Sequence, residues 1–259
     1  MAKTLHDIQN ISHADALIEV VDARAIRTSS NTELTKNFNK PILTIALKSD
    51  LTDLKPAEFT NNVLIGSIKN KKFKSEIINK LDQIFIDKKQ SLKEKGLINP
   101  EFYIVVVGLP NVGKSSLINF LTSKNKLVVA NRPGVTRTKR LIRINQNYLL
   151  YDTPGILIQK INRLEDGYKL ALIGTIKKEI LPLNEVVNWA YDFLSIYYFD
   201  TIQKKYSLTT KLQFNAFLVF ICQKYKFLTN NSQPDKNRAI EYLYKDWINN
   251  LKVNYEKEI

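Results

Sequence analysis

The sequence is nearly free of cysteine, has no long apolar run and is short of acidic residues. Its one cysteine, Cys222, can form no internal disulfide, and its neighbours Phe220, Ile221 and Tyr225 predict a buried side chain in a reducing cytosol. The apolar runs have the length of strands and are too short to span a bilayer. No basic segment with an apolar core and a cleavage site opens the chain, so we expect no secretory signal, no membrane contact and a cytoplasmic location.

The shortage of acidic residues leaves a strongly basic chain. Asp and Glu total 25 against 39 Lys and Arg, which gives a formal net charge of +14. A lysine-rich solvated surface, set by genomic base composition, is one explanation. The basic residues cluster, however, at Lys69–Lys74 and between Arg132 and Arg143. Because clustered cations neutralise phosphates and release counterions, we favour a polyanionic partner, namely nucleic acid.

Two of the 8 glycines frame a phosphate-binding loop. The loop, Gly108 to Ser115, reads Gly-Leu-Pro-Asn-Val-Gly-Lys-Ser and lies between an apolar strand at 102–107 and a predicted helix. Its glycines let successive backbone N–H groups point at phosphate oxygens, and Lys114 neutralises charge on the β- and γ-phosphates as the catalytic residue. A plain glycine turn would not need all four fixed positions of this pattern. We therefore expect a bound nucleoside triphosphate, with Mg²⁺ on the Ser115 hydroxyl. The predicted phosphate contacts are Asn111, Val112, Gly113, Lys114, Ser115 and Ser116.

A second triphosphate motif, Asp152-Thr153-Pro154-Gly155, follows a later strand. The Asp152 carboxylate at a strand end can hold a Mg²⁺-bound water, and the Gly155 N–H can sense the γ-phosphate. Thr136, in the intervening loop, is placed to add a hydroxyl ligand to Mg²⁺, which would order that loop only when triphosphate is bound. Each signal is weak alone, but their order and spacing after a phosphate loop predict a magnesium site.

Guanine recognition is indicated upstream of the phosphate loop. Lys48-Ser49-Asp50 resembles the end of the GTPase base motif Asn-Lys-x-Asp, whose aspartate accepts hydrogen bonds from guanine N1–H and the exocyclic amino group. Leu47 stands at the asparagine position, so a polar contact between base and phosphate loop is missing. Ser67-Ile68-Lys69 resembles the Ser-Ala-Lys motif whose backbone N–H binds guanine O6. One motif alone could be an ordinary polar turn, but the two together predict GTP. The predicted base contacts are Lys48, Ser49, Asp50, Ser67 and Ile68.

Short apolar strands alternate with helices in the first part of the chain and then disappear. This pattern predicts an α/β, doubly wound and mostly parallel sheet, whose ligands lie at the carboxyl ends of the strands. The base motifs precede the phosphate loop, which reverses the usual GTPase order and indicates a circular permutation. Apolar stripes at helical spacing follow and predict a small all-α domain. We expect a circularly permuted P-loop GTPase domain at 1–166 and a helical RNA-binding domain at 167–259.

Taken together, these motifs resemble the ribosome biogenesis GTPase A (RbgA/YlqF) family of circularly permuted GTPases. The resemblance covers nearly the whole chain; besides the phosphate loop it includes Met1-Ala2-Lys3, Asp22-Ala23-Arg24, Ser29 with Asn31, 132–136, 152–157, 171–177, Pro234-Asp235 and Arg238-Ala239. It implies a GTPase that acts late in assembly of the large ribosomal subunit, with the helical domain on ribosomal RNA. It also implies weak intrinsic hydrolysis that the ribosomal particle stimulates. We further expect a monomer.

Two positions bear on the cleavage step. Asn111 stands where potassium-activated GTPases place a K⁺ ligand, so a K⁺ ion near the phosphates is expected, with a loop-capping asparagine as the alternative. Ile156 occupies the position of the water-orienting glutamine of Ras-like enzymes, and the resemblance implies a histidine just before Met-Ala-Lys instead. His6 and His13 do not align with that histidine, so the water-positioning group is unassigned.

These departures keep other functions open. A non-catalytic, GTP-dependent RNA-binding switch would need neither the base-motif asparagine nor a water-positioning group. A GTPase that serves a tRNA-modification enzyme or another translation factor is a further alternative. An ATPase is disfavoured, because the Asp50 carboxylate suits a donor pair that adenine lacks.

Overall fold

The structure divides into two compact units. The computed structural model describes residues 13–54, 62–122, 141–152, 161 and 163–257, with the side chain of Asp152 excepted. One unit, here called the sheet unit, comprises Met1–Asp50 and Leu54–Lys160; the other, the helical unit, comprises Leu51–Asp53 and Ile161–Ile259. None of the helices in the described ranges is both long and apolar enough to cross a bilayer.

Six strands form a single sheet in the order β3-β2-β1-β4-β6-β5. Their bounds are β1 Ala16–Asp22, β2 Ile42–Leu47, β3 Val63–Ile65, β4 Phe102–Val107, β5 Leu141–Arg143 and β6 Tyr148–Asp152. Every neighbouring pair is parallel except β5 with β6. The prediction of an α/β, mostly parallel sheet is confirmed.

Burial explains why the two central segments are strands. All residues of β1 are buried, and β4 exposes only Tyr103 in part. A parallel strand covered on both faces needs a nearly continuous apolar sequence, which both segments have. Glu19, in the middle of β1, is one exception, and its carboxyl oxygens accept hydrogen bonds from the Ser30 hydroxyl at 3.0 Å and the Asn31 N–H at 2.7 Å. The sheet therefore tolerates this buried carboxyl group because its oxygens have hydrogen-bond donors.

The helices of the sheet unit include one sharp break. Their bounds are α1 Ile26–Ser29, α2 Thr32–Lys36, α3 Phe73–Ile84, α4 Ile86–Glu94 and α5 Lys114–Thr122. Phe85 separates α3 from α4 with φ −100° and ψ 9°, and its buried ring stacks on Phe102 with centroids 4.2 Å apart. Beyond this anchor, α4 buries no residue. The stacked rings thus anchor the chain between α3 and α4, whereas α4 itself is largely exposed to solvent.

In the helical unit, consecutive hydrogen bonds join two buried aromatic side chains and an aspartate. The described helices of this unit are α6 Leu164–Leu172, α7 Leu183–Tyr197, α8 Phe199–Tyr206, α9 Phe214–Tyr225 and α10 Lys236–Asn250. The Trp247 indole N–H donates to the Tyr206 hydroxyl at 2.8 Å, and that hydroxyl donates to Asp246 at 2.6 Å. Burial and the hydrogen bond to Asp246 raise the pKa of Tyr206 well above its ordinary value. Tyr206 therefore stays protonated and links α8 to α10.

Phe73, at the start of α3, is held against the end of β3 by a close approach to Gly66. The Phe73 side chain is 1% exposed, and a Cβ atom added at Gly66 would lie 2.1 Å from its ring carbon Cε2. No side chain larger than hydrogen fits at Gly66 unless the ring moves. The turn that connects β3 to α3 is therefore fixed by packing at this glycine.

We expect Gly66→Ala to lower the free energy of unfolding by about 1–3 kcal/mol, because the new methyl group forces the buried Phe73 ring out of its place. Urea denaturation measures the change. Phe73→Leu supplies the matched test, since the smaller side chain leaves room for the methyl group. The double variant should lose clearly less stability than the sum of the two single variants. Strict additivity would show that this contact does not limit residue 66.

Candidate nucleotide-binding site

The carboxyl ends of four parallel strands bring the predicted site residues to one edge of the sheet. β1 ends at Asp22, β2 leads into Lys48–Asp50, β3 leads into Ser67, and β4 leads into the phosphate loop. In the sheet, β1 has β2 as its neighbour on one side and β4 on the other, so the strand order changes direction at β1. Such a switch in strand order opens a crevice where ligands bind in doubly wound sheets.

The phosphate loop packs tightly against its neighbours through its two glycines. Gly108 has φ +147°, and a Cβ atom there would lie 2.2 Å from the Val20 carbonyl oxygen of β1. Gly113 has φ +111°, and its added Cβ would lie 2.9 Å from Leu47 Cδ1 at the end of β2. Both backbone angles favour glycine. The loop is therefore fitted between the ends of β1 and β2.

Lys114 and the following serines are positioned by the start of α5. The Lys114 ammonium donates to the carbonyl oxygens of Gly108 and Leu109, each at 2.8 Å, so the lysine lies across its own loop. Ser115 and Ser116 are exposed in the first turn of the helix, and Val112 is fully buried beneath the loop. A helix N-terminus with exposed hydroxyls and a lysine suits a phosphate group with its cation.

The two predicted base motifs lie together. The Ser49 N–H donates to the Gly66 carbonyl at 3.2 Å, and Lys69 Nζ donates to Asp50 Oδ2 at 2.6 Å. Partial burial would raise the pKa of the Asp50 carboxyl, but hydrogen bonds from Lys69 and Ser67 outweigh it and lower the pKa. Asp50 is therefore held as an ionised acceptor, the form that the donors on the guanine edge require.

Asp22 is bonded to the loop after β2, Lys48–Asp50, here called the base loop, and through Lys48 it is linked to the phosphate loop. Its buried carboxylate accepts from Arg24 Nε and Nη2, each at 2.9 Å, and from Lys48 Nζ at 2.7 Å. The same Lys48 ammonium donates to the Asn111 carbonyl at 3.2 Å. Lys48 and Asn111 both have left-handed backbone angles, φ +66° and φ +61°. One lysine thus connects strands β1 and β2 to the phosphate loop.

The charge on Asp22 is stabilised by its partners rather than by solvent. Burial alone would raise the pKa of the Asp22 carboxyl, but the hydrogen bonds and positive charges of Arg24 and Lys48 hold the pKa below its ordinary value. The Arg24 side chain is itself only 1% exposed. Removal of one member of a buried ion pair leaves an uncompensated charge, so these three side chains depend on one another.

The predicted site residues did not include Asp22 and Arg24, whose buried ion pair the structure places beside them. Two signals marked these residues: an acid and a base two residues apart at the end of an apolar strand, and the presence of Asp22-Ala23-Arg24 among the residues that carry the family resemblance. Among the predicted residues, the structure brings Lys48, Ser49, Asp50, Ser67 and Asn111 to the same edge. Ile68 lies in the adjoining turn and is 38% exposed. Thr136 and Gly155 fall outside the described residues, as does the side chain of Asp152, whose backbone ends β6.

Known proteins resemble the chain across almost its entire length. A family model described as "50S ribosome-binding GTPase" matches residues 103–211. A "Probable ribosome biogenesis GTPase A" of Mycoplasma pneumoniae is 40% identical over 252 residues, which are 96% of this chain and 90% of the relative. The protein of that name from Mycoplasma genitalium is 37% identical over 263 residues, or 98% and 93% of the two chains. Ribosome biogenesis GTPase A of Bacillus pumilus is 31% identical, over 81% and 78%.

Solved structures share the fold at lower identity. The GDP-bound structure of YlqF superimposes with a TM-score of 0.70 and 20% identity, over 98% of both chains. The crystal structure of GNP-bound YlqF from T. maritima gives a TM-score of 0.65, also at 20% identity, over 95% of this chain and 92% of the other. These similarities support the permuted order of strands and loops described above.

We expect Asp22→Asn to lower the free energy of unfolding by about 2–3 kcal/mol at neutral pH, because Arg24 and Lys48 lose their buried counter-charge. The lowered pKa of Asp22 means that its stabilising contribution is complete above the unfolded carboxyl value of about 3.9 and is lost as the pH falls through the native value. Urea unfolding of both proteins along a pH series should therefore show the gap narrowing below about pH 4.

The control for this prediction is Asp87→Asn, which removes an exposed carboxylate from α4. We expect it to change the free energy of unfolding at neutral pH by less than about 0.5 kcal/mol. A gap between Asp22→Asn and the wild-type protein that stays constant from neutral to acidic pH would contradict the role of the ionised carboxylate.

Proposed function

The chain belongs to the ribosome biogenesis GTPase A family, and from that membership we propose that it binds a precursor of the large ribosomal subunit with GTP bound and leaves after hydrolysis. The chain is a GTPase. The observation that carries the proposal is the joint placement of base motif and phosphate loop at one sheet edge, linked by Lys48 to both Asp22 and Asn111. We place its action in the cytoplasm, as a monomer.

Base recognition falls to the loops after β2 and β3. The ionised Asp50 accepts hydrogen bonds from guanine N1–H and the exocyclic amino group, a donor pair that adenine does not offer. Backbone N–H groups at Ser67 and Ile68 donate to guanine O6, and the stem of Lys48 packs along the ring. Ser49 supports this arrangement because its N–H donates to the Gly66 carbonyl at the start of the Ser67 turn.

Phosphate binding falls to the phosphate loop and the first turn of α5. Backbone N–H groups from Asn111 to Ser116 cradle the β-phosphate, and Lys114 neutralises the charge that develops between the β- and γ-phosphates. The exposed Ser115 hydroxyl fits a hard cation such as Mg²⁺, and Thr136 and Asp152 would complete that site. When bound, Mg²⁺ supplies charge neutralisation at the phosphates. Gly155 would sense the γ-phosphate.

Asn111 is suited to hold a K⁺ ion beside the phosphates. Its left-handed backbone, φ +61°, turns an exposed amide-bearing residue to the rim of the phosphate loop, and asparagine tolerates this conformation better than most residues. An amide oxygen is a suitable ligand for a monovalent cation. When bound, K⁺ would supply positive charge where an arginine finger acts in other GTPases.

The two units would divide the work. The sheet unit binds and cleaves GTP, and the helical unit contacts ribosomal RNA. Asp152–Gly155 begins at the last residue of β6 and lies only a few residues before the helical unit in the sequence. A change in the contact between Gly155 and the γ-phosphate would therefore be transmitted to the helical unit through a short connection. GTP binding and ribosome binding then strengthen each other, because linkage between two sites is reciprocal.

Hydrolysis should respond to the ribosomal particle. We expect purified large-subunit particles to raise the rate of GTP cleavage, and Lys114→Ala to lower the stimulated single-turnover rate at least about 100-fold, because phosphate charge in the transition state loses its lysine. Lys36→Ala, an exposed lysine of α2, is the control and should cleave like the wild-type protein. The proposal fails if particles give no stimulation, or if Lys114→Ala is stimulated as strongly as the wild-type protein.

Cation dependence tests Asn111. The matched variant is Asn111→Gly rather than Asn111→Ala, because glycine keeps the left-handed backbone without strain while removing the amide. We expect the wild-type protein to cleave GTP faster in KCl than in NaCl, and Asn111→Gly to show equal rates in both salts. The affinity for GDP should change little. A variant that retains the preference for KCl would assign the cation effect to other residues.

A further inference from the structure

The excess positive charge of the chain is concentrated in its first part. Residues 161–259 contain 14 Lys and Arg against 11 Asp and Glu, whereas residues 1–160 contain 25 against 14. Eleven of the fourteen surplus charges therefore lie in residues 1–160. An electrostatic surface for a polyanion should be sought first on the sheet unit.

Four of the twelve lysines of the helical unit have a carboxylate partner within that unit. Lys169 pairs with Glu165 at 3.0 Å, Lys178 with Glu241 at 2.7 Å, and Lys205 with Asp246 at 3.1 Å. Lys257 pairs with Asp53 at 2.9 Å. A lysine that already has a carboxylate partner releases fewer counterions when a phosphate approaches.

The densest basic segment of the sheet unit is residues 69–74, here called the lysine turn. It comprises the turn after β3 and the first two residues of α3. It contains four lysines and no acidic residue. Lys69 pairs with Asp50 and Lys74 is half-buried, whereas Lys71 and Lys72 are exposed. Within the described residues, no ion pair involves Lys71 or Lys72. Their charges face solvent.

The backbone of the lysine turn is fixed. The Asn70 N–H donates to the Ser67 carbonyl at 2.9 Å, and the Asn70 side chain accepts from the Lys72 N–H at 3.0 Å. The Phe73 N–H donates to the Asn70 carbonyl at 3.1 Å, and its buried ring lies against Gly66. Two exposed lysines are thus presented from a preformed turn, which lowers the ordering cost of binding.

We propose that the lysine turn is an RNA-docking surface, in which Lys71 and Lys72 neutralise phosphates of the RNA backbone. The inference rests on the proposed function and adds a second RNA contact, on the sheet unit. RNA fits better than an acidic protein, because a sugar–phosphate backbone places charges at regular short intervals opposite adjacent lysines. The surface directly follows Ser67 and Ile68, so RNA docks on the same turn that meets the guanine base.

The test is the salt dependence of binding to purified large-subunit RNA, with the variant Lys71→Gln/Lys72→Gln. Loss of two phosphate contacts should reduce the slope of log K against log salt by about 1.5 and weaken binding roughly tenfold at moderate salt. The affinity for GDP should stay at the wild-type value. The matched control is Lys93→Gln/Lys95→Gln, which removes two exposed lysines of the sheet unit at the end of α4. The slope measured for this control should lie closer to the wild-type slope than the slope of Lys71→Gln/Lys72→Gln does.

The outcomes separate this inference from the proposed function. If the wild-type protein binds neither ribosomal RNA nor large-subunit particles, the proposed function fails. If it binds both, but Lys71→Gln/Lys72→Gln binds RNA with an unchanged slope, only the docking surface is overturned. An equal loss in the control variant would also overturn it, since the charge effect would then be general. Loss of particle binding with unchanged RNA binding would assign the turn to an acidic protein surface instead.

Discussion

The buried carboxylate of Asp22 determines how the loops that face the nucleotide are arranged. An ion without solvent is tolerated only with strong partners, and here a guanidinium and an ammonium supply them. Because β1 lies between β2 and β4, this carboxylate stands between the base loop and the phosphate loop. Lys48, which pairs with Asp22, also donates to the Asn111 carbonyl. The buried charge of β1 therefore helps to set the distance between the base loop and the phosphate loop.

This arrangement accounts for Leu47 at a position where the GTPase base motif has asparagine. The Leu47 side chain is 3% exposed and lies against Gly113, so an apolar contact connects the end of β2 to the phosphate loop. The polar part of the connection is carried by Lys48 instead. We infer that the contact between base and phosphate loops is retained with different chemistry: an apolar surface and a charged hydrogen bond replace a neutral amide.

The α/β sheet could be predicted from the sequence, because buried parallel strands require apolar runs, and the strand-glycine-helix pattern predicted where the phosphate loop would lie. The sequence did not reveal the pairing of Asp22 with Lys48, since residues 26 positions apart show no periodicity that marks contact. The break at Phe85 was also hidden, because the apolar pattern continues through it and only the stack with Phe102 identifies it. Charge counts indicated a polyanionic partner, but only the structure shows that Lys71 and Lys72 are exposed on a turn whose backbone is held by hydrogen bonds.

The two outermost strands of the sheet, Val63–Ile65 and Leu141–Arg143, have three residues each. A strand of another molecule that added to either edge would gain only a short backbone ladder, and on β5 it would meet Arg143, which pairs with Glu101 at 2.6 Å. Short edge strands are a known protection against edge-to-edge association of sheets, and a charged residue such as Arg143 adds to it. Copies of this strongly apolar sheet therefore have little tendency to join one another through these two edges, even when many are present together.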